Sequence, residues 1–98
     1  MRLMFFIKNK GGNKAEAWLE DWDMGFVVCE AQLIISPDVC LIDTIETKGS
    51  YRNKGCAKFL ISRLKEAFEV VAPIGVRPEA KGFWDKLGMS DALGEEME

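Results

Sequence analysis

The chain predicts an α/β fold, an antiparallel strand meander followed by a parallel strand–helix–strand–helix unit. Three observations carry that expectation. The first half consists of short β-rich runs separated by Gly, Asn, Pro and Asp. One strong helical periodicity follows, from Asn53 or Lys54 to Phe68, with Ala57, Leu60, Ile61, Leu64, Ala67 and Phe68 on one face. Apolar runs flank that helix on both sides, and a strand, helix and strand in this order favour a right-handed parallel crossover.

In chain order, Leu3 to Ile7 is the first strand, and Asn9 to Asn13 has the Gly and Asn content of a hairpin turn. A second strand runs from Lys14 to Trp22, with Ala15, Ala17, Leu19 and Asp21 on one face and Glu16, Trp18, Glu20 and Trp22 on the other. Helix is the competing reading there, because Ala, Glu and Leu are good helix formers. Asp23-Met24-Gly25 breaks the pattern, Phe26 to Ile35 is the third strand, and Ser36-Pro37-Asp38 is a turn. The fourth strand, Val39 to Thr47, starts almost continuously apolar, which predicts a central strand covered on both faces. Val70 to Gly75 is the fifth. A second helix starts near Pro78 and closes at Leu87-Gly88, with glycine as its cap. Residues 90–98 read as a mobile acidic tail.

Ninety-eight residues support one core, so residues 1–98 form a single domain, with no repeat or linker. Three cysteines without CxxC spacing and the absence of histidine leave no ligand set for zinc and no disulfide framework, which predicts a metal-free protein of the cytoplasm. The apolar start stops at Lys8 with no small-residue cleavage site, so it reads as a strand rather than a signal peptide, and no membrane association is expected. A net charge of −3 argues against general nucleic-acid binding. The aromatic residues Trp18 and Trp22 stand among Glu16, Glu20, Asp21 and Asp23, which opposes stacking on nucleic acid.

Basic charge is concentrated between Lys48 and Lys58, where the fourth strand meets the main helix. A glycine-containing turn leading into a helix leaves backbone N–H groups unpaired at the positive end of the helix dipole, which suits a phosphate or pyrophosphate. Gly49 to Gly55 lacks the Lys-Ser/Thr pair of a P-loop, since Cys56-Ala57 follows, and no GxGxxG is present. Arg52-Asn53-Lys54-Gly55-Cys56-Ala57 instead resembles the Arg/Gln-x-x-Gly-x-Gly/Ala signature of the GNAT N-acetyltransferase superfamily. Pro78 to Met89, with Ala80-Lys-Gly-Phe-Trp-Asp-Lys-Leu-Gly-Met89 at its centre, is similar to a second segment of that family, and the two lie in the family's order across about half the chain, Val39 to Met89.

The resemblance implies a GNAT-like mixed sheet and acetyl-CoA as acyl donor, its pyrophosphate cradled by backbone amides of Asn53, Lys54, Gly55, Cys56 and Ala57. Arg52, Lys54 and Lys58 would add charge, although basic residues at a helix start are as often solvated surface. Ile45 and Thr47 match the main-chain positions that bind the pantetheine arm where the fourth and fifth strands part. A strand amide would then stabilise the oxyanion formed as an amine attacks.

A carboxylate is expected as base, acting directly or through water, and Asp43 and Glu46 are the candidates. Strict strand alternation points them to opposite faces, so only one would face the acceptor. An acid within an apolar strand makes Asp43 the more suspicious, while a hydrated or paired structural acid is the bland reading of each. Trp84 stands where many relatives carry the tyrosine acid, and reads as packing against cofactor or core. Tyr51 lies beside the phosphate turn and is not assigned as the acid. Cys56 reads as a small packing residue rather than a nucleophile, without histidine to activate it. The helices that wall the family's acceptor pocket and its last strand pair have no counterpart, which implies an open site for an amine on a macromolecule, or completion by a homodimer. The alternative is a CoA-binding module without catalysis.

Overall fold

A computed structural model describes residues 1–93 of the chain. It contains one five-stranded sheet in the order β1-β2-β3-β4-β5, with β1 Leu3–Gly11, β2 Lys14–Asp21, β3 Phe26–Ile35, β4 Val39–Thr47 and β5 Val70–Pro73. The first three pairings are antiparallel and β4 with β5 is parallel. Helix α1 spans Cys56–Ala67 and α2 spans Lys81–Lys86, preceded by a 3-10 turn at Pro78–Ala80. The mixed sheet and the parallel unit are those the sequence predicts. The acidic residues expected to be mobile divide: 94–98 lie outside the described residues, whereas Ser90 to Leu93 return to the sheet.

Amphipathic patterning decides which side of the sheet is covered. Ala15, Ala17, Leu19 and Asp21 of β2 are buried, with Cys29, Ala31 and Leu33 of β3 and Cys40 and Ile42 of β4. Leu60, Ile61 and Leu64 of α1 close over them. Strand alternation therefore wins over the helical propensity of Ala, Glu and Leu in β2, because it buries four side chains at once. One expectation fails: β4 is flanked by β3 and β5, but among the described residues the helices pack on the side of Cys40 and Ile42, and Leu41 and Thr44 sit on the other.

Boundaries differ where backbone geometry overrules composition. Polar Lys8, Asn9 and Lys10 stay in β1 because hairpin pairing continues to Gly11 opposite Lys14. Helix α1 starts at Cys56 rather than at residue 53 or 54, since Asn53 and Gly55 have φ of +62° and +80°, outside the helical region. β5 stops at Pro73, short of Gly75, because the last bond to β4 is Ile74 N–H to the Ile42 carbonyl, and Gly75 then turns with φ +71°. Gly88, with φ +69°, ends α2 as expected: its N–H bonds the Asp85 carbonyl, and the Met89 N–H bonds that of Trp84. This is the Schellman arrangement, and buried Trp84 and Met89 supply its apolar contact.

Candidate functional site

Two bulges shape the sheet next to the basic turn. Leu19 pairs with Cys29 and Glu20 with Val27, leaving Val28 of β3 unpaired. Gln32 pairs with Thr44 and Leu33 with Ile42, leaving Asp43 of β4 unpaired. A bulge bends and twists its strand. It also resets the alternation: Ile42 and Ile45, three residues apart, share the helix-covered face, while Thr44 and Glu46 share the bare face with Gln32 and Glu30. The alternation argument that separated Asp43 from Glu46 therefore does not hold, and both border one cleft. Asp43 is exposed rather than immersed in apolar strand.

β4 and β5 part after Ile42 and Pro73. The Lys48 N–H bonds the Val28 carbonyl, so by alternation the main-chain groups of Ile45 and Thr47 point away from β3, toward the space β5 has left. Asp91 holds the other wall. Its carboxylate accepts from the N–H groups of Gly75 and Val76 at 3.1 and 2.7 Å, and from Leu93 at 2.9 Å, while the Ala92 N–H bonds the Pro73 carbonyl. These amides, led by that of Leu93, hold the Asp91 carboxyl below its usual pKa. The cleft so formed has a volume of about 380 Å³ between Asp43 to Glu46 on one side and Ile74 to Arg77 on the other, with Trp84 at its base.

A second concavity, of about 460 Å³, shares Ile45, Glu46, Ala80 and Trp84 with the first and extends over the basic turn to Asn53, Gly55, Cys56, Ala57 and Lys58. At that turn no side chain caps α1, and the Phe59 N–H is the first in the helix to reach back, to the Gly55 carbonyl. Asn53, Gly55, Cys56 and Ala57, ahead of it, line the groove, and the positive φ of Asn53 and Gly55 is the kind of backbone from which anion nests of N–H donors are made. A Cβ built on Gly55 meets nothing within 4 Å, so the space beyond it is open. Such donors, with Lys54 and Lys58 beside them, fit a diphosphate.

Other predicted residues are placed differently. The Arg52 Nε donates to the Thr47 carbonyl at 3.3 Å, tying the turn to the end of β4, so part of its donor capacity serves the fold. The Thr47 hydroxyl meets the Cys29 sulfur at 3.4 Å. Cys56 is buried, and burial raises its thiol pKa against the pull of Lys54, which agrees with packing rather than nucleophilic reactivity. Cys40 is pushed up to about 11 by burial alone. Trp84 is 6% exposed, part of the core yet lining both concavities.

Two features were missed in the sequence. Tyr51 donates its hydroxyl to Asp21 Oδ2 at 2.7 Å, and Asp21 Oδ1 accepts from the N–H groups of Asp23 and Met24 at 2.9 and 3.3 Å. The Tyr51 hydroxyl bond is the first cause of the lowered Asp21 pKa, and the same bond raises that of Tyr51. This pair anchors the basic turn to the far end of β2. Nothing in local sequence joins residues 30 apart; only the inward register of Asp21 hinted at it. The second is Glu30, opposite Glu46 in the register, which shares with it a concavity of about 300 Å³ at the ends of β3 and β4, lined also by Lys48 and Arg52.

The fold has clear structural relatives. An acetyltransferase from Trypanosoma brucei superposes with a TM-score of 0.66 at 23% identity over 88% of this chain and 68% of that one. The aminoglycoside N-acetyltransferase AAC(6')-Iy, in complex with the bisubstrate analogue CoA-S-monomethyl-acetylneamine, gives 0.66 at 18% identity over 91% and 70%. A ribosomal-protein-alanine N-acetyltransferase from Brucella melitensis gives 0.66 at 16% identity over 91% and 72%. No family model matches the sequence, and no curated protein matches it significantly. The fold is that of the GNAT acetyltransferases, as the two sequence segments implied.

Proposed function

We propose that the chain is a GNAT N-acetyltransferase, moving an acetyl group from acetyl-CoA to an amine by direct attack. One observation carries the reading: the uncapped start of α1 and the parting of β4 from β5 open on one continuous groove. A diphosphate at one end and a thioester at the other match that layout. The complexes of AAC(6')-Iy with CoA and its analogue support the same choice of donor.

In this reading the amides from Asn53 to Ala57 hold the diphosphate, aided by the dipole of α1 and by Lys54 and Lys58. Arg52 fixes the end of β4 through the Thr47 carbonyl. Ile45 and Thr47 offer main-chain groups to an extended pantetheine arm, as to an added strand. Acetyl-CoA supplies an activated thioester with a good leaving group. The Ile45 or Thr47 amide, already aimed off β3, stabilises charge on the carbonyl oxygen. Glu46 or Asp43 takes the proton from the attacking amine, directly or through water. The new C–N bond replaces the C–S bond, and water protonates the departing sulfur. The chemistry calls for no metal, and three free thiols suit a reducing cytoplasm.

A second reading, a CoA-binding module without turnover, has its own support. Trp84 cannot donate a proton, and the Tyr51 hydroxyl is committed to Asp21. Calorimetry with acetyl-CoA, followed by thiol release over an amine panel, separates the two. Binding with release supports the enzyme; binding without release supports the module; no binding defeats both.

A further inference from the structure

The side of the sheet away from α1 carries a patterned row. By register Phe6, Trp18, Glu30 and Glu46 stand side by side across β1 to β4. Phe6 and Trp18 stack, with centroids 5.5 Å apart and planes 19° from parallel, and the Trp18 Nε1 donates to Glu20 at 2.9 Å, which fixes the indole. Glu30 and Glu46 are exposed, and among the described residues neither is in an ion pair. Of the cations, Lys8, Lys10 and Lys14 lie toward the β1-β2 hairpin, where Lys10 is 3.7 Å from Glu16. Lys48 and Arg52 line the concavity of Glu30 and Glu46, but the Lys48 ammonium lies over the Phe26 ring at 5.1 Å and Arg52 donates to the Thr47 carbonyl. Among the described residues the two carboxylates thus stand without an ion pair beside the aromatic pair.

We propose that this row is the acceptor surface, and that its occupant is a basic segment of another polypeptide presenting a lysine side chain or terminal amine to the cleft. The inference rests on the acetyl-CoA reading of that cleft. Charge selects the occupant: adjacent carboxylates beside an aromatic platform attract ammonium and guanidinium groups through ion pairing and cation–π contact. Shape selects its size. Among the described residues no element covers this side, and an open sheet cannot enclose a small amine as a pocket does. At about 4.8 Å per strand, the row from Trp18 to Glu46 spans roughly 10 Å, or about three residues of extended chain. Glu46, at the cleft, receives the amine; Glu30 and Trp18 hold a cation two or three residues away. A second copy fits poorly, because a two-fold axis here would bring like charges together.

The test uses the 98-residue protein, labelled with 15N, and a peptide with one lysine flanked by two arginines, against the same peptide with glutamates in their place. The arginine peptide should shift the Trp18 indole and the Glu30 and Glu46 amide signals, with or without acetyl-CoA, and binding should weaken in high salt. It should be acetylated with a KM at least tenfold below that of the glutamate peptide. Glu30→Gln should raise KM for the arginine peptide about fivefold, the size of one surface ion pair, with acetyl-CoA affinity unchanged by calorimetry; Glu69→Gln, in the connection between α1 and β5, should change neither. Acetyl-CoA binding without perturbation of the row by the peptide overturns this inference alone, as does a dimer in sedimentation that covers these signals. Failure to bind acetyl-CoA removes the reading beneath it.

Discussion

Two aspartates do more for this site than their place in the sequence suggests. Asp91 neutralises the exposed ends of β5 and so keeps Gly75 and Val76 from continuing alongside β4. Asp91→Ala should let that wall relax, weakening acetyl-CoA binding about tenfold by calorimetry with little change in the circular dichroism of the sheet. Asp21 works at the other end, through Tyr51. Tyr51→Phe keeps the ring, which meets Phe26 edge-on at 5.9 Å, and removes only the hydroxyl bond. Its Tm should drop by roughly 4–8 °C. Both carboxyls titrate below the ordinary value of 3.8 in the folded chain. Their contribution to stability is present above that value and is lost as pH falls through the folded pKa values. Tyr51, raised above 10, contributes in the opposite window, losing its part as pH rises past its folded pKa. Acid unfolding of Asp91→Asn and Tyr51→Phe should accordingly show a flatter pH dependence below pH 4 than the parent chain.

At the scale of elements, the turn before α1 depends on backbone conformation more than on side chains. Gly55 has φ +80°, so any L-residue is strained there, at about 1–2 kcal/mol. Gly55→Ala should lose about that much stability in urea unfolding, and Gly55→Glu should lose acetyl-CoA binding as well, by placing a carboxylate where the phosphates belong. The extent of each element was legible wherever burial set it: β3 and β4 have the bounds read from their apolar patterns. It was illegible where pairing or a positive φ set it, as in the polar end of β1 and the delayed start of α1. The bulge at Asp43 is the instructive case. Residue types mark an acid in an apolar strand, but only the ladder shows that an extra residue there turns Glu46 to the side of Glu30.

For the whole molecule, the described residues form the groove and leave one side of the sheet bare. The basic turn was legible because its glycine, its cations and the helix after it are contiguous; the acceptor row was not, because Phe6, Trp18, Glu30 and Glu46 come from four strands. Ligand that binds only the folded form must raise its stability, so acetyl-CoA at a hundredfold its Kd should add about 2.7 kcal/mol. Mapping that binding site residue by residue tests the central claim most directly. In a 15N–1H titration with acetyl-CoA, the account predicts the largest shifts at the amides of Asn53 to Lys58, with a second group at Ile45 and Thr47. Saturable binding that leaves those amides unmoved would contradict it.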